Sequence, residues 1–135
     1  MGESQWHRFD GQLWYEKTMD KRTRAALKEK EEAFIKEHAD DSDNQLLAVI
    51  RNRAGELGHS PRAVEVIGAG LICERFGSWA AALTKAGLGF PTGAIRLRDS
   101  KLYRQEYVRQ QELYRAEKDA RKERESKKLE GKEEP

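Results

Sequence analysis

Few side chains in this sequence combine types and spacing that could perform catalytic or metal chemistry. Cys73 and His59 could act as a nucleophile and its base, but a lone cysteine on a short helix is more often a small buried hydrophobe. The single cysteine and three scattered histidines lack the spacing of metal ligands. Gly68-x-Gly70 has no preceding strand and no following Lys-Ser/Thr pair, which a phosphate loop needs. The sequence therefore predicts no enzyme, no cofactor and no metal site.

Basic side chains offer another chemistry, the binding of phosphate groups. Arg62 stands at an expected helix start, and Arg75 and Ser78 flank an expected turn, where charge and a helix N-terminus can hold a phosphate. Each arginine taken alone is more often a solvated surface residue than a phosphate contact. Tyr103 and Tyr107 could stack on bases if the target were single-stranded or RNA. The candidate nucleic-acid contacts are Arg51, Arg53, Arg62, Arg75, Ser78, Lys85, Arg96, Arg98, Lys101 and Arg104.

The charge of the chain is too balanced for the whole molecule to act as a polycation. Its 135 residues include 26 basic and 24 acidic side chains, for a net charge of +2. Residues 44–90 carry 5 basic against 3 acidic groups, and residues 91–135 carry 13 against 10. Any nucleic-acid surface must therefore be local, in the middle or the C-terminal part of the chain.

The cellular compartment is indicated by what the sequence lacks. One cysteine cannot form an internal disulfide framework, which fits a reducing compartment. The start of the sequence has neither the basic residues nor the apolar run of a signal peptide, and no stretch is apolar for long enough to cross a bilayer. We expect a cytoplasmic protein without membrane contact.

The candidate contacts need a scaffold, and the strongest helix signal lies at residues 78–88. Ser78 can cap the N-terminus, and Gly87 can adopt the left-handed conformation that ends a helix. Between these ends, Trp79, Ala82, Leu83 and Ala86 repeat at i, i+3, i+4 and i+7, which predicts one apolar face.

Three further segments predict a small helical domain around this helix. Residues 44–57 place Leu46, Ile50 and Leu57 on one face, and Gly58 ends the helix. Ser60 as a cap and Pro61 at the first helical position predict a short helix up to residue 67. A third helix is expected at residues 71–76, with Ile72 and Phe76 turned inward.

The N-terminal segment, residues 1–43, is expected to be an arm. Residues 4–16 hold five large apolar side chains, which either pack as a flap on the domain or on the helix that follows, or bind a protein partner. Residues 18–38 predict a charged helix that packs against another element through a narrow apolar edge. Residues 39–44 favour a break and a helix cap, and the domain boundary is placed there.

The C-terminal segment, residues 91–135, is expected to be a second charged arm. Residues 89–93 predict a hinge, the chain is helical again from Ala94, and residues 131–135 are expected to be disordered. No alternation typical of strands occurs anywhere. The predicted fold is therefore all-α, with a small helical domain at residues 44–90 between two long charged helical arms.

Three sequence motifs within residues 44–88 resemble a known family. These are Leu-Gly-x-Ser-Pro at residues 57–61, Phe-Gly-Ser-Trp at residues 76–79 and Ala-Gly-Leu at residues 86–88. Their order and spacing resemble the homing-endonuclease-associated repeat, which occurs beside HNH nucleases and in stand-alone proteins. The resemblance implies a helix-turn-helix-like module that binds DNA. The histidines of an HNH nuclease, set in a ββα motif, have no counterpart here.

Taken with this resemblance, the basic residues predict a non-enzymatic protein that binds nucleic acid through phosphate contacts, with DNA favoured and RNA possible. In the third helix, Glu74 would repel phosphate, so backbone contacts are a better expectation than base contacts. The alternative is an adaptor that docks on a larger complex, such as a ribosome or polymerase, through residues 4–16 and the helical arms.

Overall fold

The computed structural model describes residues 10–133 of the chain, with side chains up to residue 130. The five α-helices in this part are α1 (Gly11–His38), α2 (Asp43–Leu57), α3 (Ala69–Phe76), α4 (Trp79–Ala86) and α5 (Lys101–Glu133). Two 3₁₀ turns, Ala63–Glu65 and Leu97–Asp99, complete the helical structure. No strand occurs within residues 10–133. The predicted all-α fold is confirmed.

The central core lies between α2, α3 and α4. Leu46 and Ile50 from α2 and Ile72 from α3 are fully buried there, as the spacing of apolar residues predicted. Phe76 and Trp79 pack against this cluster while keeping part of their surface exposed. The three helices thus share one apolar cluster, completed by Leu47, Ala82, Leu83 and Ala86.

The ends of α4 follow the sequence signals closely. The Ser78 hydroxyl accepts the Ala81 N–H at 3.0 Å. At the other end Gly87 has φ +75°, and the Leu88 N–H donates to the Leu83 carbonyl at 3.0 Å. These local bonds satisfy main-chain groups that the helix leaves unpaired.

The segment after α2 differs from the prediction. Ser60 and Pro61 do not open a helix, and the only helical element there is the short turn Ala63–Glu65, which Arg62 precedes. The Pro61 carbonyl accepts the Trp79 indole N–H at 3.0 Å, and the Glu65 carboxylate accepts the Arg62 N–H at 2.9 Å. These contacts hold the segment in a mostly extended path, overriding the local Ser-Pro signal.

The two charged arms pack against each other as antiparallel helices. Met19, Thr23 and Leu27 of α1 are buried, as are Tyr103, Glu106 and Gln110 of α5. Lys30 forms an ion pair with Glu106, and Arg22 donates two hydrogen bonds of 2.9 Å to Glu117. The narrow apolar edge of α1 therefore packs against α5.

The arm α1 also contacts the central core. Its Glu31 carboxylate accepts the N–H groups of Gly68 at 2.6 Å and Gly70 at 3.3 Å, so α1 caps the N-terminus of α3. The Phe34 ring lies against Gly68, whose φ is +95°. The arm is thus attached to the domain well before the turn at residues 39–42.

The outer ends of both arms differ from the sequence expectation. The helix α1 begins at Gly11 with Asp10 as its cap, so residues 11–16 are helical, not a flap. Residues 4–9, the rest of that prediction, lie outside the described residues. The prediction of a continuous helix from Ala94 is wrong for residues 94–100. Residues 94–96 are not helical, residues 97–99 form a 3₁₀ turn, and α5 begins at Lys101. The predicted disordered end is wrong for residues 131–133, which continue α5, while residues 134–135 lie outside the described part.

Candidate nucleic-acid interface

Arg53 and Arg62, two of the predicted phosphate contacts, form hydrogen bonds with other groups of the fold. Arg53 donates to the Glu65 carbonyl at 2.7 Å and to the Glu56 carboxylate at 2.9 Å. Arg62 donates to the carbonyls of Gly93 and Thr92, which fastens the loop at residues 89–93. The carbonyls that accept these bonds are 12 to 31 residues away from the arginines in the sequence, so no local sequence pattern predicts the bonds.

Arg75 has a similar structural role at the end of α3. Its guanidinium donates to the carbonyls of Asp41 at 2.7 Å and Ala39 at 3.3 Å, and it forms an ion pair with Asp43 at 3.2 Å. The side chain therefore joins α3 to the turn between α1 and α2. In this arrangement its charge is already partly matched, which makes Arg75 a weaker candidate for a phosphate contact.

The helix N-termini differ in their availability to an anion. At α3, the Glu31 carboxylate already occupies the position in front of the Gly68 and Gly70 N–H groups. At α4, Ser78 is exposed and its hydroxyl bonds only the Ala81 N–H. Because a carboxylate and a phosphate compete for the same donors, the start of α3 is closed to phosphate in this structure.

Arg51 and Lys85 form an exposed basic pair at the C-terminal end of α4. The Arg51 Nε donates to the Ala86 carbonyl at 3.0 Å, while its two terminal nitrogens make no hydrogen bond within the described residues. Lys85 is exposed and has neither a hydrogen bond nor an ion pair in the same part of the chain. The bond from Nε orients the Arg51 guanidinium group and leaves its two terminal nitrogens available to bind phosphate.

Four basic residues precede or open α5, and Asp99 lies among them. Arg96 forms an exposed ion pair with the Asp99 carboxylate at 3.2 Å, and Arg104 donates to the Asp99 carbonyl at 2.6 Å. Arg98 and Lys101 are exposed and make no hydrogen bond or ion pair with any described residue. This segment therefore keeps a positive excess after its internal pairing.

Tyr103 does not provide the predicted stacking surface. It is buried, and its hydroxyl donates to the Asp20 carboxylate. Burial and this bond raise the pKa of Tyr103 to about 12, while the same hydroxyl lowers the pKa of Asp20. Tyr107 is half-buried, with its ring centroid 5.9 Å from that of Tyr103. The two tyrosines serve the α1–α5 packing, and the prediction of Tyr103 as a base-stacking platform is wrong.

A cleft of about 480 Å³ opens beside this tyrosine pair. Arg98 and Arg104 line one part of it, and Glu16 and Asp20 from α1 line another. No local sequence signal places these carboxylates near the basic segment, because only the pairing of α1 with α5 brings them together. Mixed charges of this kind do not make a specific site for an anion.

Cys73 and His59, the residues considered for catalysis, each lie beside a carboxylate. Cys73 is half-buried beside Glu31. Burial, and to a smaller extent the charge of the Glu31 carboxylate, raises the pKa of the Cys73 thiol. The reactive thiolate form is therefore disfavoured. His59 lies near Glu65, with 3.9 Å between His59 Nε2 and a carboxylate oxygen. Among the described residues, no three His, Cys, Asp or Glu side chains are grouped as metal ligands would be. No helix in that part of the chain is both long and apolar enough to cross a membrane.

The fold and its surface define a small all-α protein in which a three-helix core is held against a pair of charged helices. Residues 41–89, about a third of the chain, match the model of the homing endonuclease associated repeat family, in one copy. The match confirms the resemblance at residues 44–88 and extends it to the Ser42 cap of α2. The family hints at a nucleic-acid-related role. No curated protein and no solved structure matches the chain.

Proposed function

We propose that this protein is a non-enzymatic, cytoplasmic nucleic-acid-binding protein that contacts the phosphates of DNA. The observation that carries the proposal is the exposed pair Arg51 and Lys85, which lies on the segment that matches the repeat family. The basic start of α5 adds Arg96, Arg98, Lys101 and Arg104. Arg53, Arg62 and Arg75 act as supports of the fold, because each uses at least two of its guanidinium nitrogens in bonds within the protein, whereas Arg51 uses one.

Duplex DNA is favoured over a single-stranded target by the position of the tyrosines. Proteins that bind single strands use exposed aromatic rings on which bases stack. Tyr103 is buried between α1 and α5, and Tyr107 is partly covered beside it. The exposed basic groups, by contrast, suit the phosphates of any duplex, which fits contacts that carry little sequence information.

Fluorescence anisotropy at several salt concentrations tests this proposal. The labelled probes are a DNA duplex, a DNA single strand and a structured RNA. We expect the duplex to bind at low salt, with an affinity that falls as salt rises, because each neutralised phosphate releases a counterion. Absence of binding to all three probes at low salt would contradict the proposal.

A charge-neutral variant of the exposed pair locates the contact. We expect Arg51→Gln combined with Lys85→Gln to reduce the slope of log affinity against log salt by about one unit for each lost phosphate contact. The matched control is Lys21→Gln with Lys28→Gln, which removes the same charge from exposed positions of α1. An equal effect of both double variants would show that Arg51 and Lys85 make no particular contact.

An adaptor function is the second candidate, and the exposed first turn of α1 favours it. Leu13 and Trp14 are each 47% exposed there. Large apolar side chains in such a position are suited to contact with another protein. Deletion of the whole arm is unsuitable as a test, because Glu31 and Phe34 in α1 contact the core.

Affinity purification after nuclease treatment distinguishes the adaptor from a nucleic-acid binder. If the adaptor function holds, the wild-type chain retains a protein partner that Leu13→Ala with Trp14→Ala loses. The control Ile35→Ala changes another exposed apolar residue of α1 and should retain the partner. Loss of every copurifying protein on nuclease treatment would leave nucleic acid as the bridge and exclude the adaptor.

A further inference from the structure

The outer part of α5 has no packing partner among the described residues. Buried side chains occur on α5 only as far as Gln110, and Tyr114 is the last to make a ring contact, with Tyr15 of α1. Residues 115–130 are all exposed. At about 1.5 Å per residue, residues 118–133 extend the helix by about 24 Å past the last strong contact with α1. A helix this exposed offers its surface to another molecule.

One line of positions along α5 is rich in basic residues. Positions 101, 104, 108, 111, 115, 118 and 122 follow one line along the helix, because residues three and four apart are neighbours. Five of these seven positions are basic, the others are Val108 and Gln111, and none is acidic. We call the five basic residues the basic stripe: Lys101, Arg104, Arg115, Lys118 and Lys122.

The acidic residues of the exposed helix lie elsewhere. Four of them share an adjacent face, with the spacing i, i+7, i+11 and i+18. Asp119 lies four residues after Arg115 and three before Lys122, but it forms no ion pair with either among the described residues. The charges of these basic residues therefore remain open to an external partner. The four acidic residues are Glu112, Asp119, Glu123 and Glu130.

The basic stripe is also available for binding. Lys101, Arg115, Lys118 and Lys122 are exposed and have no hydrogen bond or ion pair with a described residue. Arg104 gives one donor to the Asp99 carbonyl. Arg109, on another face of α5, lies instead 3.7 Å from the Glu106 carboxylate. The stripe thus presents cations that the fold itself does not neutralise.

We infer that the basic stripe is a second nucleic-acid contact, which binds the phosphate backbone of a duplex while the repeat binds through Arg51 and Lys85. The inference rests on the proposed function and extends its contact along α5, from Lys101 and Arg104 to Arg115, Lys118 and Lys122. From Lys101 to Lys122 the stripe spans about 32 Å, close to one turn of duplex DNA at about 34 Å. A rigid helix of this length can contact phosphates along a whole turn, whereas the repeat can contact only a part of it.

Anisotropy titration of the full chain against duplex DNA tests the stripe. The variant Arg115→Gln, Lys118→Gln and Lys122→Gln removes three charges from the stripe. The control Arg124→Gln, Lys127→Gln and Lys128→Gln removes the same charge from other faces of the same exposed helix. Glutamine forms helices about as readily as lysine and arginine, so circular dichroism should show equal helix content in all three proteins.

We expect the stripe variant to bind at least about tenfold more weakly at low salt and to reduce the salt slope by about two to three units. The control should keep most of the wild-type affinity. Equal losses in both variants, or no loss in the stripe variant, would overturn the inference while leaving the proposed function intact. Absence of duplex binding by the wild-type chain would overturn both.

Discussion

Replacement of Gly68 by alanine is expected to lower the free energy of unfolding by about 2–5 kcal/mol, among the largest effects of any single substitution in this chain. Gly68 has φ +95°, a conformation that costs an alanine roughly 1–2 kcal/mol. An added Cβ would also lie 2.3 Å from Cε1 of Phe34. The ring would have to move, at a typical cost of about 1–3 kcal/mol for overpacking.

The loss of unfolding free energy in Gly68→Ala measures how closely α1 is packed against the repeat. Gly68 brings its main chain against Phe34, and the same approach allows its N–H to donate to the Glu31 carboxylate at 2.6 Å. Displacement of the Phe34 ring would therefore weaken the cap of α3 as well. Urea unfolding followed by circular dichroism measures the change.

Gly77 provides the matched control at the other end of α3. Its φ is +92°, nearly that of Gly68, but an added Cβ would have no atom within 4 Å. We expect Gly77→Ala to show only the conformational cost of about 1–2 kcal/mol. Equal destabilisation by the two substitutions would contradict the close approach of Phe34.

A double-mutant cycle separates the clash from the backbone strain. Phe34→Ala removes the ring that an alanine at position 68 would meet. The combined variant should therefore be more stable than the sum of the two single losses indicates, by about 1–3 kcal/mol. Simple additivity would mean that the ring and the new methyl group do not compete for space.

Elements set by short-range signals were predictable from the sequence. Ser78 and Gly87 act through bonds within four residues of themselves, so their residue types alone define both ends of α4. The inward positions of Leu46, Ile50 and Ile72 follow from helical spacing.

Contacts between distant segments were not predictable in the same way. The α1–α5 interface buries Thr23, Glu106 and Gln110 beside its apolar groups, so neither helix shows a clear apolar face. Arg62 binds carbonyls about thirty residues further along the chain, and every residue type carries a carbonyl. For this reason the sequence could select basic candidates but could not separate exposed cations from those used to hold the fold.

The second large effect is expected at Trp79. We expect Trp79→Ala to destabilise the protein by about 3 kcal/mol, the lower end for a large aromatic residue because part of the ring is exposed. The substitution removes packing against the central core and the indole hydrogen bond to the Pro61 carbonyl. Urea unfolding measures the loss, with Phe90→Ala, at a position 64% exposed, as a control that should change stability by less than about 1 kcal/mol.

A second substitution divides the two contributions of Trp79. Trp79→Phe retains an aromatic ring but leaves the Pro61 carbonyl without its donor, for an expected loss of about 1–2 kcal/mol. Because Trp79 holds the extended segment at residues 60–62 against α4, both variants should lose DNA affinity only as they lose folded protein. A Trp79→Ala protein that kept wild-type stability and lost DNA binding would instead make the indole a nucleic-acid contact, and the assignment of this ring to the core would be wrong.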